Sequence, residues 1–212
     1  MNQRTPDLTL KLETVNSLLH ALGILFAIVC MPILLVNASK LHNVTTLTGA
    51  SIYAACFLMV FISSTLYHGF QRPDLKRVLK IVDHISIYFL IAGTYTPIIL
   101  TFVNNTFGIT LLVILWGLTF FGIFFKIFYT GKFEIISTLL YVLMGWILFV
   151  DNHTFFASMP SKIIMLVAVG GVLYSIGVIF YLWHKFTYHH VIWHLFVLAA
   201  AICHYSAVLL AV

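Results

Sequence analysis

Charged residues are scarce in this chain of 212 residues: only 8% are Asp, Glu, Lys or Arg, whereas 62% are hydrophobic. So few polar side chains cannot coat a water-soluble domain of this size. The mean hydropathy of +1.07 therefore indicates an integral membrane protein. The formal charge of +5 does not indicate nucleic-acid binding, because the 11 Lys and Arg residues have no soluble domain to present them.

Cysteine is scarce as well. Cys30, Cys56 and Cys203 fall within apolar runs, without the spacing of a metal site or a disulfide framework. We interpret them as small buried apolar residues. A cleavable signal peptide is not indicated either, because the first apolar run, 15–36, is too long and lacks a small-residue cleavage site. We expect this run to be a retained span.

Seven apolar runs, separated by short polar breaks, make up most of the sequence. A helix needs about 20 apolar residues to cross the hydrocarbon core, and these runs are apolar on every side, which favours helices over alternating strands. We predict an all-α integral membrane protein: a single domain, residues 1–212, forming a seven-helix transmembrane bundle. The predicted spans are 15–36, 47–70, 78–102, 107–128, 134–150, 163–183 and 190–211. The fifth is the shortest.

Basic residues are distributed unevenly between the predicted loops. With seven spans, the side that holds the N-terminus carries nine Lys and Arg residues, and the other side carries only Lys40 and Lys162. Because cytoplasmic loops are enriched in Lys and Arg, we predict a cytoplasmic N-terminus and an external C-terminus in the plasma or inner membrane. The nine residues are Arg4, Lys11, Arg72, Lys76, Arg77, Lys80, Lys126, Lys132 and Lys185.

Three histidines are expected to meet at the cytoplasmic end of this bundle. His68 ends span two, while His190 and His194 begin span seven, where their i, i+4 spacing puts both side chains on one helix face. Three neutral imidazoles that leave a fourth position for water form the ligand set of a catalytic zinc. We therefore predict a Zn²⁺ site with His68, His190 and His194 as ligands.

Two other polar residues are predicted at the same depth. Asp83, near the start of span three, is costly in a membrane unless paired or hydrated. It is interpreted either as the base that accepts a proton from the metal's water or as a helix N-terminal residue favoured by the dipole. Ser64, one turn from His68, either donates a hydrogen bond to a substrate oxyanion or allows close helix packing.

The remaining histidines have simpler interpretations. His204 lies ~15 Å along the helix axis from His194 at about 1.5 Å per residue, so it cannot share the ion and is expected to hydrogen-bond inside the bundle. Pro97, in span three, is expected to shape that helix. Interfacial solvation is expected for His20, His42, His84, His153, His184 and His189, which lie near predicted span ends or in loops.

Three motifs in order resemble the haemolysin III family of bacterial membrane proteins. They are residues 64–68 (STLYH), Asp83 followed by 92–97 (AGTYTP), and 190–198 (HVIWHLFVL) followed by His204 and Tyr205. The family is similar to the progestin and adiponectin receptors and, more distantly, to the alkaline ceramidases.

The resemblance covers nearly the whole chain. It implies a seven-helix bundle with a cytoplasmic N-terminus and zinc near the inner leaflet, held by His68, His190 and His194. Asp83 and Ser64 would surround the fourth position. The short N-terminus lacks the long cytoplasmic region of the animal receptors, so hormone-receptor signalling is not implied.

Three functions remain open at this point. The first is a zinc-dependent hydrolase of an amide or ester bond in a membrane lipid, with Asp83 as base and Ser64 holding the oxyanion. The second, from the family's name, is a pore-forming cytolysin, although seven apolar spans disfavour release into water. The third is a sensor of membrane lipid state with a structural zinc. A fourth protein ligand on the metal would favour the sensor, and an open position the hydrolase. The expected partner is a membrane lipid.

Overall fold

The computed structural model describes residues 5–130, 133–150 and 157–212, and every regular element in those ranges is helical. A 3₁₀ turn, Ile147–Val150, follows the fifth of the main helices. The main helices are α1 (Pro6–Lys40), α2 (Val44–Gly69), α3 (Pro73–Phe102), α4 (Thr106–Tyr129), α5 (Glu134–Gly145), α6 (Ser161–Leu182) and α7 (His189–Ala211).

Six of these helices are long and apolar enough to cross a membrane. The exception is α5, which has 12 residues, fewer than the ~20 that span the hydrocarbon. The predicted fifth span, 134–150, is therefore divided between α5 and the 3₁₀ turn. Large apolar side chains cover the outer surface of the other helices, for example Leu25, Ile28 and Phe124. The chain is a multi-pass helical membrane protein.

Two helices begin well before their apolar runs. Thr5 caps α1, its Oγ1 accepting a hydrogen bond from the Leu8 amide, and Pro6 occupies the first turn. In the same way, α3 begins at Pro73, with Asp74 in its first turn. Hydropathy marks only the part of a helix suited to lipid, so the polar turns at Pro6 and Pro73 lay outside the predicted spans. Asp83 consequently lies within α3 rather than at its start.

The first three helices approach one another closely. A Cβ added to Gly23 of α1 would lie 2.1 Å from the ring of Phe61 in α2, and one added to Gly93 of α3 would lie 2.7 Å from Cys56 Cβ. A Cβ added to Gly49 of α2 would lie 2.9 Å from the Cα of Pro97 in α3. Small residues allow such contacts between membrane helices. The segment around Pro97 therefore packs closely against α2.

Contacts between side chains show how the helices alternate in direction. Glu13 of α1 reaches both His68 of α2 and Lys76 of α3, and Lys80 of α3 pairs with Glu134 of α5 at 3.5 Å. One end of the bundle thus contains the beginnings of α1, α3 and α5 and the end of α2. The beginning of α7 lies there too, because His194 contacts His68, and so does the end of α4, which directly precedes α5 in the chain. We call this end, defined by Glu13, His68, Lys76, Lys80 and Glu134, the site end.

Candidate metal centre

Three histidines converge at the site end. One ring nitrogen from each of His68, His190 and His194 lies within 4.8 Å of the other two. His194 Nε2 lies 3.0 Å from His68 Nε2. His68 and His194 are each 2% exposed. The chain's fold thus brings together residues 126 positions apart, as the sequence predicted.

A carboxylate orients the first of these histidines. Glu13 Oε2 lies 3.1 Å from His68 Nδ1 and also accepts a hydrogen bond from Lys76 Nζ at 2.6 Å. Because an ionised carboxylate only accepts hydrogen bonds, we assign the proton of the neutral His68 ring to Nδ1. Its Nε2 then carries a lone pair directed toward His194. A carboxylate on the far nitrogen of a histidine ligand is a recurrent feature of metal sites.

The donor set fits a divalent transition-metal ion. Ligand nitrogens in a tetrahedral site with Zn–N distances of about 2.0–2.1 Å lie about 3.3 Å apart. Here all three nitrogens lie within 4.8 Å of one another, and one pair is 3.0 Å apart, so the separations bracket that value. His194 Nδ1 is buried without a hydrogen-bond partner among the described residues, which leaves its tautomer free to present Nε2. Neutral imidazole suits several such metals.

Asp83 and Ser64 line the cavity into which His190 and His194 also project. Asp83 is 9% exposed and Ser64 1% exposed. Because Asp83 is ten residues inside α3, its interpretation as a helix N-terminal residue is wrong. Ser64 Oγ lies close enough to interact with the Asp83 carboxyl, yet no described residue completes a hydrogen bond with it. A buried hydroxyl without a partner is available to a bound molecule.

His20 is not solvated at an interface, contrary to prediction. It is 3% exposed, and its ring centroid lies 4.0 Å from that of His194 in an edge-on arrangement. Neither ring nitrogen has a partner in the described part of the chain. It does not belong to the cluster of mutually close nitrogens formed by His68, His190 and His194. The sequence placed His20 near the end of a predicted span and therefore at an interface, but α1 begins earlier, at Pro6, and directs this residue inward.

His84 and His189 also differ from the expectation of interfacial solvation, since each is 8% exposed. His84 lines the same cavity as Asp83. His42 and His184 are exposed, as expected. His204 lies in hydrogen-bonding distance of the Val167 carbonyl oxygen, with Nε2 at 3.2 Å, which confirms the prediction of a bond inside the bundle. His153 lies outside the described residues, as do Arg4 and Lys132.

A cavity lies between α3, α5, α6 and α7. His190 and His204 both line it, and they are ~21 Å apart along α7 at about 1.5 Å per residue. Between these two levels its walls are mostly apolar. The wall side chains in this region include Ile87, Leu90, Ile91, Val142, Val178 and Val197. The site therefore opens into a space suited to an apolar chain.

Three polar residues of the site end were not predicted. Glu13, Asn16 and His20 follow one another at positions i, i+3 and i+7, the spacing of one helix face, and Asn16 and His20 are buried. That pattern was a usable signal for a polar stripe on α1.

Lys126, 2% exposed, was assigned to a cytoplasmic loop because of its charge, but it lies inside α4 and lines the cavity.

The fold and the site together define a multi-pass helical membrane protein with three histidines that could hold a metal ion. A family model described as "Haemolysin-III related" matches residues 8–205. The chain belongs to the haemolysin III family. This confirms the family that the three sequence motifs predicted.

Relatives occur in bacteria and animals. The chain is 39% identical over 201 residues to the "Hemolysin-3 homolog" of Bacillus subtilis (strain 168), covering 95% of this chain and 94% of the relative. It is 38% identical over 199 residues to "Hemolysin-3" of Bacillus cereus, covering 94% and 91%. The human "Monocyte to macrophage differentiation factor" is 28% identical over 166 residues, covering 75% and 68%. No solved structure matches the chain.

Proposed function

We propose that this protein is a zinc-dependent hydrolase of an amide or ester bond in a membrane lipid. The observation that carries the proposal is the convergence of His68, His190 and His194 at one end of a largely apolar cavity. Asp83 and Ser64 line that same cavity. A metal site, a carboxylate and a hydroxyl beside an apolar space are the parts that hydrolysis of a lipid requires.

The proposed roles follow from the chemistry of each side chain. His68, His190 and His194 would hold the zinc, which when bound polarises a carbonyl group and makes water a stronger nucleophile. Asp83 accepts a proton from the water that attacks the carbonyl carbon. Ser64 donates a hydrogen bond to the carbonyl oxygen as negative charge develops there. The proton then passes from Asp83 to the leaving amine or alcohol as the bond breaks.

The distribution of charge supports a site near the inner leaflet. Lys76 and Lys80 lie at the site end, whereas Lys40 ends α1 and Lys162 begins α6 at the opposite end. Cytoplasmic loops are enriched in Lys and Arg. The proposal therefore includes one seven-helix domain in the plasma or inner membrane, with the N-terminus in the cytoplasm and the C-terminus outside.

A second function is favoured by His20. Its ring packs against that of His194, and both of its nitrogens lack partners among the described residues. If His20 turned to become a fourth ligand, the metal would be closed to substrate and structural. The protein would then act as a sensor of membrane lipid state. The names of the Bacillus relatives suggest cytolysis, but nothing in the geometry of the site requires a pore.

The deciding experiment uses Asp83→Asn, which keeps the size of the side chain and removes the base. The proposal predicts unchanged zinc content and a loss of turnover of ~10²–10⁴-fold, typical of a general base. Turnover is measured as fatty acid released from a panel of lipid amides and esters. Asp74→Asn, an exposed position at the start of the same helix, is the matched control. Wild-type protein without metal-dependent turnover across the panel would favour the sensor instead.

A further inference from the structure

Lys126 is a cation buried within the bundle. It is 2% exposed and lies in α4 one turn before the helix ends at Tyr129. A lysine near the end of a membrane helix ordinarily extends its ammonium group outward to water. Lys126 instead contributes to the wall of the cavity that Asp83 and His190 also line, and it is the single residue through which α4 reaches that wall.

Among the residues that the structure describes, the ammonium group of Lys126 has no anionic partner at contact distance. Within the described ranges, no carboxylate oxygen lies within 4.0 Å of Nζ. The acidic residue in electrostatic range is Glu134, but Glu134 pairs with Lys80 at 3.5 Å. The ring of Tyr141, whose centroid is 6.0 Å from Nζ, lies at the limit of a cation–π contact. An isolated buried charge is costly, so a ligand that neutralises it would be strongly favoured.

The cavity is polar at one end and mainly apolar along its length. Lys126, Asp83 and His84 belong to its polar end, and Lys126 is close enough to His84 for the two side chains to interact electrostatically. From there the apolar wall continues along α3 and α7, past Leu90 and Val197. This division matches the shape of an amphiphile: a charged group at the polar end and an apolar chain in the rest.

We propose that Lys126 binds the anionic group, a phosphate or carboxylate, of a lipid whose apolar chain occupies the cavity. The proposal rests on the hydrolase function in one respect only: if the protein is a hydrolase, the bound lipid is its substrate, an anionic lipid ester or amide. Binding itself requires neither metal nor turnover. Lys126 is thus a specificity-determining residue for the ligand and not part of the reacting group.

The test compares three probes on the full-length protein in an uncharged detergent. Dodecyl phosphate has both charge and chain, dodecanol has the chain alone, and inorganic phosphate has the charge alone. Binding is followed by tryptophan fluorescence, because Trp146 and Trp193 line the cavity. We expect dodecyl phosphate to bind about 10–100-fold more tightly than dodecanol, the range for one charged hydrogen bond. Inorganic phosphate should bind far more weakly than either amphiphile.

Two substitutions locate the effect. Lys126→Met keeps the length of the side chain and should lower the affinity for dodecyl phosphate to that for dodecanol, with dodecanol binding retained. Lys126→Arg keeps the charge and should preserve the preference. Lys185→Met, an exposed lysine in the connection before α7, controls for general surface attraction and should change nothing. If Lys126→Met does not fold, the comparison of Lys126→Arg with wild type and Lys185→Met still applies.

Several results would overturn the proposal. Equal affinity of the wild type for dodecyl phosphate and dodecanol would show that no cation binds the head group. An undiminished preference in folded Lys126→Met would place the anion elsewhere. Inorganic phosphate binding as tightly as dodecyl phosphate would identify a free-anion site. Repeating the binding measurement in His190→Ala distinguishes failure of this proposal from failure of the hydrolase proposal. If the variant without metal still prefers dodecyl phosphate to dodecanol, the Lys126 site is supported even if no lipid is hydrolysed.

Discussion

Glu13→Gln tests the importance of the carboxylate behind the metal centre. In the structure, Glu13 Oε2 lies 3.1 Å from His68 Nδ1, and Glu13 is 21% exposed. Gln retains an oxygen that accepts a hydrogen bond from the ring, but it lacks the charge that makes the ring a better donor to metal. The orientation of His68 should therefore survive while its basicity decreases.

The expected loss can be bounded from the same contact. Removal of such outer partners lowers metal affinity about 10–100-fold, or about 1.4–2.8 kcal/mol. Glu13 is partly exposed and shares its oxygen with Lys76 at 2.6 Å, so Glu13→Gln should lower the affinity for zinc only about tenfold. Glu13→Ala also removes the hydrogen bond and should lower the affinity for zinc by close to a hundredfold. The assay is competition for zinc between the purified protein and a chelator of known affinity.

Two controls isolate the contact with His68. Glu134→Gln removes a carboxylate of the same kind at the same end of the bundle, paired with Lys80 and not with a histidine, and should leave zinc affinity unchanged. Lys76→Met breaks the ion pair but keeps Glu13 beside His68, so it should cost little affinity. Wild-type affinity in both Glu13→Gln and Glu13→Ala would refute the reasoning, because the carboxylate would then contribute nothing to the metal.

Three further predictions concern other parts of the molecule. His20→Ala should keep one metal per chain and an unchanged absorption spectrum of the cobalt-substituted protein, since His20 is outside the cluster of close nitrogens; a changed spectrum would identify His20 as a fourth ligand. Gly170→Ala would place a Cβ 2.2 Å from His204 Cδ2, so its thermal unfolding should reveal a loss of about 1–3 kcal/mol. Gly117→Ala is its control and should change the free energy of unfolding little, because a Cβ added there would meet no neighbouring atom within 4 Å. A reporter fused after Val212 should be active only outside the cell, and cytoplasmic activity would contradict the proposed orientation.

The helices were predictable because lipid leaves the backbone few alternatives. Without water to hydrogen-bond, a long apolar run must form a helix, and six runs did so at full length. The fifth apolar run, 134–150, did not form one continuous helix: α5 ends at Gly145 and a 3₁₀ turn follows. Hydropathy measures apolar content and contains no information on where a short helix stops.

The metal ligands were predictable for a different reason. The spacing of His190 and His194 fixes them on one helix face, and alternating helix directions bring the end of α2 to the start of α7. Glu13 and Lys126 were missed because charged residues near helix ends usually face water. Their burial depends on which face of α1 and α4 points inward. Helices that are apolar on all sides give little indication of that face.

Metal analysis of the purified protein tests directly whether the three histidines bind zinc. We expect about one zinc per chain in the wild type and none in the variant that replaces His68, His190 and His194 together by Ala. His184→Ala, at an exposed position, should retain the full amount. One zinc per chain in the triple variant, or a folded wild-type protein that binds no metal when zinc is supplied, would show that these histidines are not a zinc site.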